Sequence, residues 1–234
     1  MTKKVLSIIV ALALTAILFC LPVAAEDPPD DPILVEETSA DPDDGGKISE
    51  WAKAEVARAE ELDLIPDSLL GADLTKPINR AEFAAVSVKV FEALSEEEAT
   101  PAEDNPFTDT EDAEVLKAYE VRITNGVAED TFAPEALLVR QEAATMLARV
   151  FKKVSNEEWT LENDSEFPFE DPELDPFTDD AAIADWAKDS VYFMAANEII
   201  KGMGDGTFAP KSNTTREQAI AIALRMVENL EIDE

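Results

Sequence analysis

Arg80, Arg140 and Arg216 stand at matching places in three stretches of the chain, at Ile78-Asn79-Arg80, Leu138-Val139-Arg140 and Thr214-Thr215-Arg216. Each opens a segment of helical periodicity. A guanidinium presents its donors as a rigid planar fork, the geometry that grips a carboxylate or phosphate through two parallel hydrogen bonds. At the first turn of a helix an arginine opposes the macrodipole, so its recurrence there suggests an anion held by free backbone N–H groups together with the guanidinium. The alternative is an arginine spent on a local acid such as Asp179 or Glu217. Trp51 and Trp186 recur in Trp-Ala-Lys triplets upstream of the first and third arginines. Their rings suit stacking on a sugar face, but positions +5, +8 and +13 from each are apolar, so the rings could equally belong to the core.

Composition removes most other chemistry. The 234 residues contain no His, one Cys, 19 Lys+Arg and 52 Asp+Glu, for a net charge of −33. Without imidazole there is no Ser-His-Asp or Cys-His catalysis, and one thiol cannot build a zinc site. No cofactor or metal is expected. The negative charge argues against binding nucleic acid, whose phosphates need Lys and Arg, and against an anionic membrane surface. Paired carboxylates of a glycoside hydrolase remain conceivable in so acidic a chain, but nothing singles out a pair.

The elements that would position the arginines form a repeat. Counting from each arginine, +6 is Val86, Met146 or Ile222, and +10 is Val90, Val150 or Met226. Position +11 is Phe91, Phe151 or Val227, and +14 is Leu94, Val154 or Leu230. This stripe predicts an amphipathic helix of about 15 residues, roughly 22 Å long. Asn79 with Glu82 and Thr215 with Gln218 have capping-box chemistry; Val139 lacks it and predicts a weaker start. Val150 and Phe151 are expected to be buried between helices of different copies. A second, upstream helix is marked by Val56, Val191 and Val115, with Thr110 where the other copies have Trp. The connecting loops carry Phe132 and Phe208, each eight residues before its arginine, while the first copy shortens its loop to 71–77. A single hairpin cannot bury its apolar face, so the three must pack as one unit.

Phe177-Thr178-Asp179, Trp186-Ala187, Gly204 to Pro210 and Thr215-Arg216-Glu217 resemble the S-layer homology (SLH) motif. Phe107-Thr108-Asp109 with Thr131 to Pro134 and Arg140, and Trp51-Ala52 with Asn79 to Glu82, resemble it less completely. The resemblance implies an all-α fold of three helix-loop-helix SLH repeats in a pseudo-threefold bundle, spanning 47–95, 105–154 and 175–231. It implies a non-enzymatic, secreted, cell-wall-associated module that binds a secondary cell wall polymer carrying pyruvate ketals. Arg80, Arg140 and Arg216 then match the family's carboxylate-binding arginine, Trp51 and Trp186 its groove tryptophan, Asp109 and Asp179 its motif aspartate, and Gly206 its loop glycine. The third copy, with Arg216, is expected to hold the best-preserved groove. The alternative is a structural envelope protein or partner-binding scaffold whose grooves have lost their ligand.

The flanking segments read differently. Lys3 and Lys4, an apolar run over 5–21 and small residues before Glu26 predict a signal peptide over 1–25. Phe19 before Cys20 argues against a lipoprotein, and no membrane association is expected after cleavage. Residues 26–46 hold nine acids, no base and four prolines, which predicts a disordered leader. The acidic stretch 155–174 is expected to be an exposed linker pinned by Trp159, Phe167 and Phe169. Signal, leader and repeats account for the chain, so no passenger domain is expected; the oligomeric state is not legible.

Overall fold

The computed structural model describes residues 47–169 and 174–230. The signal-peptide and leader readings, 1–25 and 26–46, lie outside the described residues. The described part contains six α-helices: α1 (Lys53–Glu61), α2 (Arg80–Ser95), α3 (Ala113–Glu120), α4 (Arg140–Ser155), α5 (Asp185–Ala196) and α6 (Arg216–Asn229). Short 3₁₀ turns lie at Asp67–Leu69, Asp164–Glu166 and Asp180–Ala182. Extended pairing among the described residues is confined to isolated bridges, so the fold is all-α. Short and long helices alternate, and each long helix begins on its arginine.

Local chemistry sets the boundaries. Asn79 caps α2 by accepting from Glu82 N, and Glu82 returns to Asn79 N at 3.1 Å. Thr215 and Gln218 do the same for α6. Val139 has no side-chain acceptor, yet Glu142 still takes Val139 N at 3.1 Å, so half of the box survives and α4 starts in register. The short helices share one ending. Asp63, Arg122 and Glu198 turn left-handed (φ 56, 66 and 56°), and the next residue's amide reaches back to Ala59, Ala118 or Met194 at 2.9 Å. That turn sends Leu64, Ile123 and Ile199 into the core, each fully buried.

The three helix pairs interlock in cyclic order. Ile78 N donates to Thr214 O at 2.9 Å, Thr214 N to Leu138 O at 2.9 Å, and Leu138 N to Ile78 O at 3.1 Å. This closed circuit of backbone bonds joins the segments that lead into α2, α4 and α6. Each short helix packs on the long helix of the preceding pair: α3 on α2, α5 on α4, and α1 on α6. One apolar cluster runs through all three pairs, with Phe83, Phe132 and Phe208 fully enclosed.

One expectation needs adjustment. Val150 is fully buried as expected, but Phe151 is only half-buried, because its cover is the partly exposed rings of Phe193 (4.9 Å) and Phe169 (6.2 Å) rather than another long helix. The acidic stretch is held at two of the expected aromatics, Trp159 and Phe169. Trp159 is 1% exposed, its Nε1 donates to Asp164 at 2.9 Å, and the same carboxylate takes Lys152 Nζ at 2.8 Å. Phe169 stacks on Phe193 at 3.8 Å.

Candidate functional site

Arg80 and Arg140 are held in the same way. Arg80 Nε donates to Phe132 O at 3.0 Å, and Arg140 Nε to Phe208 O at 2.8 Å. Each guanidinium also lies over the ring of that phenylalanine, 5.1 Å from its centroid. The loop phenylalanine therefore orients its arginine twice, through its carbonyl and through its π face. Both arginines are more than nine-tenths buried. Burial pushes both guanidinium pKa values down; Glu142 opposes this for Arg80 and Asp179 for Arg140, neither within ion-pair distance. Arg140 also gives Nη2 to Lys201 O at 3.0 Å. Among the described residues, the Nη groups of Arg80 meet no protein acceptor.

The first-turn amides are not free, contrary to the expectation of an anion held by backbone donors. Arg80 N donates to Ala136 O, Arg140 N to Ser212 O and Arg216 N to Lys76 O, at 2.9–3.0 Å. The next amides go to Pro134, Pro210 and Leu74. Loops of the neighbouring pair thus satisfy the orphan donors that a helix start normally leaves. The donors left for a ligand are those of the side chains.

Arg216 behaves differently. Its Nη2 and Nε grip Glu82 at 2.6 and 3.1 Å, and Nη1 donates to Asp73 O at 3.1 Å. The bonds to the Glu82 carboxylate raise its pKa. The cause is the shortened first loop: eight residues before Arg80, where the other loops have phenylalanine, stands Ala72. Arg216 finds no ring there, and its fork closes on an internal carboxylate. Arg216, expected to head the best-preserved groove, is thus paired within the protein, unlike Arg80 and Arg140.

The clefts are composite. One, of about 380 Å³, is lined by Arg80, by Gly126 and Val127 of the second loop, by Met146 and Arg149 of α4, and by Trp186 of α5. A second, of about 180 Å³, brings Arg140 together with Gly202, Met203, Ile222, Arg225 and Trp51. Each therefore draws its arginine, its loop and its tryptophan from three different helix pairs. Trp186 is 57% exposed and Trp51 51%, so neither is a core residue. Val127 and Met203, which line the same clefts, are similarly exposed, so each cleft carries two exposed apolar side chains. The corresponding third region, beside Glu82, is lined by Asp67, Glu92, Asp112, Glu114 and Glu135 against Lys89 and Lys117. It is acidic and has no tryptophan.

The motif aspartates clasp the loops. Asp109 accepts Phe132 N at 2.9 Å and Ala133 N at 2.7 Å; Asp179 accepts Phe208 N at 2.8 Å and Ala209 N at 2.9 Å. These bonds hold Asp109 below the usual aspartate range, the Phe132 amide foremost. The clasp fixes Ala133 and Ala209 in left-handed conformation (φ 59°) and aims the Phe carbonyl at the arginine. Gly206 also serves the loop. It has φ 85°, its carbonyl takes Thr178 N at 2.9 Å, and a Cβ there would stand 3.2 Å from Thr178 Cγ2. Asp109, Asp179 and Gly206 thus shape the loops that carry the site. Sequence reasoning missed Val127, Met203 and the basic residue at +9 of each long helix, Lys89, Arg149 and Arg225; its recurrence was a signal available in the stripe.

Residues 176–220 match the family model of the S-layer homology domain. A surface-layer 125 kDa protein of Lysinibacillus sphaericus is 28% identical over 203 residues, 83% of this chain and 16% of that protein. An endoglucanase of Bacillus sp. (strain KSM-635) is 31% identical over 151 residues, 63% of this chain and 14% of the enzyme. A cell surface glycoprotein 1 of Acetivibrio thermocellus is 25% identical over 64% of this chain and 6% of its own length. The chain thus spans about a sixth or less of these relatives. The segment that carries Asp179, Trp186, Gly206 and Arg216 is thus an S-layer homology domain segment.

Proposed function

We propose that this protein is a non-enzymatic anchoring module that holds a bacterial cell-wall polysaccharide at the cell surface, using the Arg80–Trp186 and Arg140–Trp51 clefts. The three helix pairs, over 47–95, 105–154 and 175–231, are read as three SLH repeats in a pseudo-threefold ring, supported by the cyclic bonding of Ile78, Leu138 and Thr214. The observation that carries the functional reading is the pairing, in each cleft, of a deeply buried arginine that meets no ion-pair carboxylate among the described residues with a half-exposed tryptophan. A desolvated cation is costly unless an anion compensates it, and a wet aromatic face beside it fits the apolar face of a sugar. A pyruvate ketal on an amino sugar supplies both, one carboxylate fixed rigidly to a ring. The relatives named for surface layers and cell surfaces support the wall as the location.

The third position is self-occupied: Glu82 gives Arg216 the bidentate carboxylate that the polymer would bring. This favours loss of binding at one groove of three, and a structural envelope protein without ligand is the extension of that loss to all three. Co-sedimentation with purified wall sacculi, before and after removal of the attached polysaccharide, separates the two. Arg80→Gln and Arg140→Gln should each lower binding and together abolish it, while Arg216→Gln should leave it within about twofold. Equal losses from all three variants, or no binding by the unaltered chain, would refute this assignment of the clefts.

A further inference from the structure

The basic residues at +9 of the long helices have different fates. Arg225 of α6 is neutralised by Glu55 of α1, through Nε at 2.7 Å and Nη2 at 2.9 Å. Lys89 of α2 reaches Asp63 at 2.7 Å. Arg149 of α4 has no such partner among the described residues. Glu55 stands four residues after Trp51; the same step from Trp186 on α5 arrives at Ser190, which is buried. A serine thus occupies the place from which a carboxylate would have capped Arg149. Its Nη1 makes one long bond of 3.5 Å to Ile123 O, and its Nε is buried with no acceptor. Arg149 is partly exposed and lines the cleft, and leaving its buried Nε donor unmatched is costly. Three charged groups act on it or share its cleft: Asp164 attracts it, Arg80 repels it, and Glu142 lines the same cleft. Burial depresses its pKa most, Asp164 raises it and Arg80 lowers it again.

We infer that Arg149 is a second anion-contacting residue of the Arg80–Trp186 cleft, left without an internal carboxylate by Ser190, so that the bound anion is gripped there by two guanidinium groups. The Arg140–Trp51 cleft offers one, because Arg225 is already spent on Glu55. The two clefts are therefore unequal, and the Arg80 cleft is the tighter for a carboxylate-bearing sugar. This inference rests on the function proposed above.

The test titrates the full chain with the methyl glycoside of an N-acetylhexosamine bearing a pyruvate ketal, following arginine Nε–Hε resonances by NMR and affinity by calorimetry. The unaltered chain should show the Arg149 Nε signal shifting together with that of Arg80, while the Arg225 signal stays fixed. Arg149→Gln should weaken the tighter site about tenfold, the scale of one charge-assisted bond. Ser190→Glu, which offers Arg149 an internal partner, should weaken that site similarly while raising the melting temperature. Added to Arg149→Gln it should do no further harm. Unchanged affinity in Arg149→Gln, or an equal loss from Ser190→Glu with and without Arg149, overturns the inference, the second outcome meaning plain repulsion of the ligand. An unaltered chain that fails to bind the glycoside overturns the functional reading as well; binding by the unaltered chain with Arg149→Gln indistinguishable from it overturns this inference alone.

Discussion

Asp179→Asn separates a loop clasp from a ligand contact. In the native protein one carboxylate accepts two amides, Phe208 N at 2.8 Å and Ala209 N at 2.9 Å. Bonds to a charged acceptor contribute about 1.5–3 kcal/mol each. Asparagine keeps one carbonyl oxygen and puts an NH₂ donor against the second amide, so one bond is lost and the other loses its charge. The expected destabilisation is about 2 kcal/mol, rising to about 3–4 kcal/mol for Asp179→Ala, which loses both. Urea unfolding with an unchanged m-value is the assay. The clasp also sets the Phe208 carbonyl and ring that orient Arg140, so wall binding at the Arg140–Trp51 cleft should fall in the same variant, and binding at the Arg80–Trp186 cleft should persist. If Asp179→Asn kept full stability and still lost binding, the aspartate would be a ligand contact, and the reading of the loop would be wrong.

Further outcomes follow from neighbouring contacts. Glu217 is buried and takes both Ser49 N and Ser49 Oγ at 2.9 and 2.8 Å, tying α6 to the start of the first pair. Glu217→Ala should cost about 2–4 kcal/mol in urea melts, and Glu217→Gln only about 1 kcal/mol, since Gln141 holds Ala184 N at 3.1 Å from the same helix position. Because Asp109 titrates below its ordinary range, its contribution is complete above the usual aspartate pKa and is lost as pH falls through the lower folded value. The melting-temperature gap between the unaltered chain and Asp109→Ala should therefore be constant near neutrality and shrink as pH falls below about 4; a gap that grows or stays constant through the acid range would contradict this. Glu82→Gln frees Arg216 and should destabilise by about 1–2 kcal/mol without increasing sacculus binding, because no tryptophan faces that arginine; a clear gain in binding would mean that the third position needs no aromatic.

Much of the fold is legible because each long helix writes its buried face at fixed intervals. Val86, Met146 and Ile222 sit at +6 of their helices, and all three are buried. Such a stripe depends on the helix alone. What depends on a second chain segment is not written locally. The stripe makes Phe151 look like Val150, because nothing at +11 says that its cover comes from the acidic stretch and α5. Thr215 and Gln218 announce the start of α6, but not that the amide of Arg216 is taken by Lys76 of another pair. The same limit applies to the site. The residue types were readable, and their grouping was not: the sequence pairs Trp186 with Arg216 because they share a repeat, whereas packing pairs it with Arg80.

Composite clefts change what the irregular copies mean. The first copy lacks the loop phenylalanine, with Ala72 in its place, and the second lacks the tryptophan, with Thr110 in its place. Read along the chain these are two damaged repeats, leaving only the third intact. In space the loop of the first pair and the short helix of the second belong to one position, the one headed by Arg216. Both losses therefore fall on the same groove, and the glutamate that closes on Arg216 completes that loss rather than adding another. The remaining two grooves keep a buried arginine, its phenylalanine and an exposed tryptophan. On the function proposed above, a cyclic exchange of parts concentrates damage: two irregular copies would cost one site, and the most regular copy in the sequence supplies its tryptophan and its loop to the clefts headed by the arginines of the other two.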